Sequence, residues 1–455
     1  MKIRFLKTFL AVVVILSMTV SLIGCGKTTE NKPSESTASE KPASDSTKEE
    51  KPAEEVKKPV VLKVPTPYVG TDKSAMWHKQ VVEEFQTKYG NEIKLEIEEV
   101  PGSQNYVDKI KVLLSANQLP DIVFTHYNLL DLAVKAGKAV DLTPYLDADS
   151  EWKGGFDPSS LTYNTFDGKV YGLPYLKRLI GYYYNTEHFE KAGVKPAETW
   201  DEFFENCEKL KNAGITPLSM DTGDTGWLSS LVLISMIATS GDKGCEFMNT
   251  SEPKDYNFPE FIDAAKKLQI LFQKYTTKDA IGGKYENGAT NFFAGKTAII
   301  ANGTWMVQDF SDTSKAPAGF DKKVGVAIYP NKGVFFSPGK GNFCASQDKE
   351  HADAAVKFLK HMTSVESQQK FFIMTGESPE SPKIQITDEI KNTYPLVAQL
   401  FALAGDAKYK YGYAQSLWYA NVTDQLSTLY PLLATGKMTP EEFAKKLTET
   451  AQKNQ

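Results

Sequence analysis

The chain has 455 residues, of which 41% are hydrophobic and 24% charged, and its formal net charge is −5. Acidic residues outnumber basic ones and no Lys/Arg block stands out, which excludes a protein that grips nucleic-acid phosphates through a basic face. The four cysteines and five histidines show no CxxC, no HExxH and no metal-type spacing, so neither a metal site nor a cofactor is expected.

Taken in chain order, Lys2, Arg4 and Lys7 precede an apolar run over 9–23 that ends in Leu22-Ile23-Gly24-Cys25. A basic start, a short apolar stretch and small residues at the end predict a secretory signal over 1–24. The run is too short for a membrane span of about 20 residues. The tetrad resembles a bacterial lipobox, which predicts that Cys25 is lipidated, with palmitate among its acyl chains, and heads the mature chain. Residues 27–59 hold one Val and no Leu, Ile, Phe, Tyr or Trp. A segment of that composition cannot bury enough apolar area to offset its ordering entropy. Residues 25–59 are therefore expected to be a disordered tether, spanning roughly 30 Å as a flexible coil. Without the three basic residues of the signal, 49 basic residues face 57 acidic ones, a net charge of −8.

The body from residue 60 onward is too long for one core, so two or more domains or lobes are expected. Val60-Val61-Leu62-Lys63-Val64 predicts a strand. Met76, Trp77, Val81, Val82, Phe85 and Tyr89 follow at helical spacing, closed by Gly90. Ile93 to Ile97 alternates as a strand, 104–116 predicts a helix, Asp121 to Phe124 a buried strand and 128–137 a helix. This βαβαβ order implies a parallel sheet wrapped by helices. A second block opens with a strand at Leu179 to Tyr184 and a helix at 187–192. Thr199-Trp200-Asp201-Glu202 then predicts an N-cap with Glu at the third helical position. Trp200, Phe203, Phe204, Cys207 and Leu210 line one face of that helix, so Trp200 and Cys207 are assigned to the core, as Trp77 is in the first block. Further helices are expected at 227–239, 259–275, 352–362, 365–375 and 440–452, and strands at 298–300 and 324–327. Of Cys207, Cys245 and Cys344, two could pair outside the cell.

Several segments recur together in one known family. Leu119-Pro120-Asp121-Ile122-Val123-Phe124, Asp167-Gly168-Lys169-Val170-Tyr171-Gly172-Leu173-Pro174 and the stretch over 193–203 come in order. Phe293-Ala294-Gly295-Lys296-Thr297-Ala298, Gly303-Thr304-Trp305, the SLWYANV segment at 416–422 and the final TPEEFAKKL at 439–447 complete the series. In order and spacing they resemble the maltose-binding-like family 1 of extracellular solute-binding proteins, the sugar-binding lipoproteins of ABC importers, over nearly all of 60–455. The resemblance implies a two-lobed periplasmic-binding-protein-like α/β fold, each lobe a mainly parallel sheet flanked by helices, with ligand in the cleft between them. The first lobe would take 60–176 and about 338–385, the second 180–335 and about 388–455. The chain would cross between them near 176–180, 335–340 and 383–390. The function implied is capture of a sugar or oligosaccharide and its delivery to ABC permease subunits by a non-enzymatic monomer. That monomer would be held by lipid on the outer face of the membrane, and lysine-rich usage suggests a Gram-positive bacterium. A ligand sensor signalling to a membrane receptor uses the same binding fold, and a cell-surface glycoside hydrolase is the enzymatic alternative.

A sugar cleft needs aromatic plates beside amide, hydroxyl and charged groups. The resemblance places Tyr68, after the first strand, and His126, Tyr127 and Asn128, after the PDI strand, at the ligand. The plain alternatives are strand-end packing for Tyr68, a satisfied loop histidine for His126 and a helix N-cap for Asn128. The same resemblance brings Trp305, Trp418 and Trp227 to the cleft, the last with Asp224 from its Gly/Asp-rich loop. The alternative for each tryptophan is the core. Arg178 is the one arginine of the mature chain, beside 48 lysines, and it falls at the first expected crossing. If it faces the cleft, acidic or highly hydroxylated sugars gain weight, and otherwise it forms an ion pair on the surface or between lobes. Ala294-Gly295-Lys296-Thr297 mimics the end of a P-loop, but Thr290 stands where glycine is needed. Ser337-Pro338-Gly339-Lys340 fits S-x-x-K but has no KTG partner.

Overall fold

The computed structural model describes residues 58–454, so the expectations for the signal, Cys25 and the tether lie outside the described residues. β1 (Val60–Thr66) and β2 (Ile93–Glu99) pair in parallel with Val60 opposite Ile93. The helix Lys73–Tyr89 makes the crossover between them, and Asp72 caps it by accepting from Ala75 N at 2.9 Å. Its spacing turns Trp77, Val81 and Phe85 inward. The helix Ser103–Ser115 leads to β3 (Ile122–Val123), and four short helices follow between Leu129 and Tyr163. The hairpin of β4 (Thr165–Phe166) and β5 (Lys169–Val170) turns on Asp167 and Gly168, at φ 49° and 77°. Two successive left-handed residues are what a tight hairpin requires, which gives the Asp-Gly-Lys segment its structural reason.

β6 (Lys177–Asn185) carries the chain into the second lobe. There it is joined by β7 (Thr216–Ser219), β8 (Thr297–Gly303), β9 (Val324–Ala327) and β10 (Gly333–Pro338). The chain then returns to the first lobe as β11 (Phe343–Cys344), antiparallel to β3, followed by the helices Lys349–Met362 and Val365–Thr375. It leaves again to add β12 (Tyr409–Tyr411) and the helices Ala420–Ala434 and Pro440–Ala451. In the six-stranded sheet β6 lies antiparallel to β8, β9 and β10, while β7 and β12 run parallel to β8 and β10. Five strands thus share one direction and β6 opposes them. In this lobe the contrary strand is the first, whereas in the other lobe the parallel pair β1–β2 and the antiparallel pair β3–β11 form separate sheets.

Burial divides the same way. One core gathers Leu62, Trp77, Phe85, Ile122, Phe343 and Leu359, all from the first lobe's segments. The second lobe has two cores, one on each face of its sheet. β6 feeds both, because alternate residues of a strand point to opposite faces. Ile180 and Tyr182 enter one, and Leu179 and Tyr183 the other. The helix Trp227–Ala238 is apolar apart from Ser229, Ser230 and Ser235 and is buried from Leu228 onward, as a helix wrapped on every side is. Trp200 and Cys207 are buried in this lobe. Cys207, Cys245 and Cys344 are all free thiols, so no disulfide forms among the described residues.

Candidate functional site

Between the lobes lies a cavity of about 400 Å³, walled on both sides by residues at strand ends. From the first lobe come Tyr68, past β1, and Thr125, His126 and Tyr127, past β3. From the second come Trp305, past β8, Tyr413, past β12, and Trp227 at the start of its helix. Open α/β sheets offer ligand sites beyond the carboxyl ends of their strands, and both sheets do so here toward one space.

The second-lobe wall is aromatic. Trp227 and Trp305 lie 5.7 Å apart between ring centroids, tilted by 55°, and Tyr413 meets Trp227 edge-on at 6.3 Å. The Trp305 ring folds back over Gly303, where an added Cβ would lie 2.1 Å from the ring. Glycine in the Gly-Thr-Trp segment is therefore a requirement of the ring's position.

The first-lobe wall is polar and its donors are poised. Tyr68 and Tyr175 share a hydroxyl hydrogen bond of 2.5 Å, and the Tyr68 ring stacks on His78 at 5.2 Å. Burial lowers the His126 imidazole to about 3, with the Arg178 charge acting in the same direction, so it stands neutral in the cleft. Its Nε2 is buried without a hydrogen-bond partner. Tyr127 has φ 50°, a left-handed conformation unusual for a bulky residue and common at ligand-contacting turns. Asn342 pins this loop: its Oδ1 accepts from Thr125 N at 3.0 Å, while Thr125 Oγ1 donates to the Gly341 carbonyl at 2.5 Å.

Arg178 sits at the start of β6 with Ile180, and both line the cavity. Its guanidinium carbon lies 5.4 Å from the centroid of Trp305. The other cationic group there, Lys340, is committed: its Nζ pairs with Asp131 at 3.1 Å and sits over Tyr163 and Phe166 at 4.4 and 4.7 Å. Two carboxylates line the space, and each has a task. Asp72 caps its helix, and Glu377 accepts from Ser74 Oγ at 2.8 Å. Burial raises the Glu377 carboxyl, against the opposing pull of the Arg178 charge.

Of the residues expected at the ligand, Tyr68, His126, Tyr127, Arg178, Trp227 and Trp305 come together around this cavity. Three do not. Trp418 is 2% exposed, packs edge-on against Tyr256 at 4.9 Å and touches only a second cavity, of about 290 Å³, whereas Tyr413 and Ser416 just before it reach the first. Asp224 points to solvent and pairs with Lys284 at 3.0 Å. Asn128 holds the N-cap position of the helix Leu129–Lys135 without a side-chain cap bond, and it lines the same second cavity. Sequence reasoning missed Tyr175, Asn342, Glu377 and Tyr413. Tyr175 adjoins the Asp-Gly-Lys-x-Tyr-Gly-Leu-Pro segment and Tyr413 the Ser-Leu-Trp segment, so both were within reach. Nothing local marks Glu377. Among the described residues no three His, Cys, Asp or Glu side chains are grouped to hold a metal, and no helix is long and apolar enough to cross a membrane.

Two α/β lobes that close a mixed aromatic and polar cleft define a ligand-binding protein of the two-lobed class. Residues 80–398 match the family model of bacterial extracellular solute-binding proteins, and the chain belongs to that family. It is similar to a multiple sugar-binding protein of Streptococcus mutans, 26% identical over 243 residues, 51% of this chain and 56% of that one. The match thus spans little more than half of that relative. A maltodextrin-binding protein of Bacillus subtilis is 24% identical over 331 residues, 69% of this chain and 74% of its own length. Among solved structures, a chitin oligosaccharide binding protein superposes with TM-score 0.78 at 23% identity, covering 87% of this chain and 99% of that one. A solute-binding protein of Streptococcus pneumoniae in complex with the blood group A-trisaccharide gives TM-score 0.73 at 21% identity, over 86% of this chain and 100% of that one.

Proposed function

We propose that the chain captures a sugar or oligosaccharide outside the cell and delivers it to the permease subunits of an ABC importer. The observation that carries this reading is the facing of an aromatic wall, Trp227, Trp305 and Tyr413, against a polar wall, Tyr68, His126 and Tyr127, across one cleft. A sugar ring has an apolar face for the first and hydroxyl edges for the second. The sugar-binding names of several relatives and structural neighbours support it. The reading includes lipid attachment at Cys25, a tether over 25–59 and a place on the outer face of a Gram-positive membrane. It is a reading without catalysis: both carboxylates of the cleft are engaged in holding the fold, which favours binding over acid–base work.

A thermal-shift screen against mono- and oligosaccharides, followed by calorimetry on each hit, tests it. A cognate sugar at a hundred times its Kd should stabilise the protein by about 2.7 kcal/mol. Stabilisation only by peptides, amino acids or metal ions would overturn the sugar assignment. Turnover of a bound oligosaccharide would overturn the non-enzymatic one.

A further inference from the structure

We infer that the cleft selects a saccharide carrying a carboxylate, with the Arg178 guanidinium as the group that grips it. This deepens the sugar-binding reading and rests on it. Arg178 lines the cavity at the mouth of β6 and leans on Trp305, yet among the described residues no carboxylate lies within ion-pairing distance of its guanidinium. The cleft's other cation shows the contrast, since Lys340 is paired with Asp131 and enclosed by two aromatic rings. The alternative for Arg178, an ion pair on the surface or between lobes, is thus not made among the described residues.

A half-buried guanidinium without a direct ion-pair partner has five donors and a full charge to satisfy. Two hydroxyls of a neutral sugar can accept from it, but they leave the charge uncompensated once water is excluded. A carboxylate matches the planar fork with two oxygens and neutralises it as well. Among the described residues no side chain around the guanidinium pairs with it directly, although Glu377 shares the cavity and the Arg178 charge opposes the rise of its carboxyl. His126 is neutral, Tyr68, Tyr127, Tyr175 and Tyr413 are held protonated by burial, and Glu377 is engaged by Ser74 with its carboxyl raised by burial. The choice of residue points the same way. In a chain that uses lysine 48 times after its signal, a lysine would supply positive charge. Only arginine supplies two parallel donors.

The test compares acidic oligosaccharides with their carboxyl-reduced counterparts on the wild-type protein, by thermal shift and calorimetry. The probes are oligogalacturonides, glucuronic-acid-substituted xylo-oligosaccharides and uronate-containing disaccharides, each beside its neutral form. An acidic probe should bind at least about 30-fold more tightly than its reduced form, as expected for losing one partner of a desolvated charge pair. Its affinity should fall by a similar factor in Arg178→Gln and by less in Arg178→Lys, while the melting temperature without ligand stays unchanged. Should Arg178→Gln unfold, the paired ligands on wild-type protein still decide the matter. Neutral saccharides that bind as well as, or better than, every acidic probe would overturn the carboxylate assignment and leave the sugar reading standing. No response to any saccharide would remove both.

Discussion

Single side chains set what this cleft can hold. Trp227 and Trp305 present the largest apolar surface there, and anchors of this kind typically cost on the order of 2 kcal/mol or more when truncated. Trp305→Ala and Trp227→Ala should each weaken sugar binding by roughly 30-fold while the protein stays folded, since 1.4 kcal/mol is tenfold. Calorimetry on the folded variants reads this directly, and an unchanged affinity removes that tryptophan from the site. Trp418 should behave in the opposite way. It is a buried core ring, so Trp418→Ala should cost about 3–5 kcal/mol of stability and leave affinity nearly unchanged, as denaturant unfolding and titration would show. Buried carboxyls make a third prediction. Burial pushes Glu380 and Asp221 up to about 7, against about 4 in an unfolded chain. The folded state then holds more protons between these values, so their contribution to stability is fully present below about pH 4 and is lost as pH rises through 7. Glu380→Gln should therefore flatten the fall in melting temperature between pH 5 and pH 8 relative to wild type. An unchanged pH profile would show that Glu380 ionises freely in the fold.

The elements work because small residues let them approach. β6 is the strand on which the second lobe is built, and Gly181 sits at its tightest point: a Cβ there would lie 2.3 Å from the Ala327 carbonyl oxygen of β9. Gly181→Ala should destabilise by roughly 1–3 kcal/mol through overpacking, measured by urea unfolding. Gly303 controls a ring instead of a strand. Gly303→Ala should weaken ligand binding more than it weakens the fold, because the added methyl collides with Trp305 rather than with backbone. Equal losses of both would mean that the Trp305 ring moves aside freely. Several elements are legible in the sequence alone. Thr439-Pro440-Glu441-Glu442 forms a full capping box, with Thr439 Oγ1 accepting from Glu442 N at 3.1 Å and Glu442 accepting from Thr439 N at 2.8 Å. Thr199 caps its helix as its position predicts, but Glu202 reaches back to Glu198 N instead of closing the box. The helices Asp242–Asn249, Tyr285–Phe293 and Pro395–Gly405 are not marked by residue spacing. The first two interrupt their apolar spacing with glycine or polar residues, and the third is apolar with little periodicity to read.

At the scale of the whole molecule the cleft is spanned as well as lined. Lys135 of the first lobe pairs with Glu252 of the second, and Lys111 with Asp424 at 3.8 Å. Two lobes joined by three crossings are suited to hinge closure on a shared ligand. Solution scattering should then show a smaller radius of gyration when the cognate sugar saturates the site, and identical curves would argue against closure. What the sequence by itself determined is local or periodic: the βα units by spacing and the family by the order of its motifs, while the signal and tether expected from composition lie outside the described residues. Arg178 was singled out by rarity and by its place at an expected crossing, and neither says which way a side chain points. Tertiary structure alone decided that Arg178 faces the cleft without a direct ion-pair partner and that Glu377 joins it from 199 positions further along the chain. It likewise decided that Trp418 belongs to the core. These outcomes depend on which distant surfaces meet when two lobes fold and are joined. The physical cause is long-range packing, where a rotation of about half a helical turn exchanges a buried ring for a ligand-facing one and leaves the local sequence pattern the same.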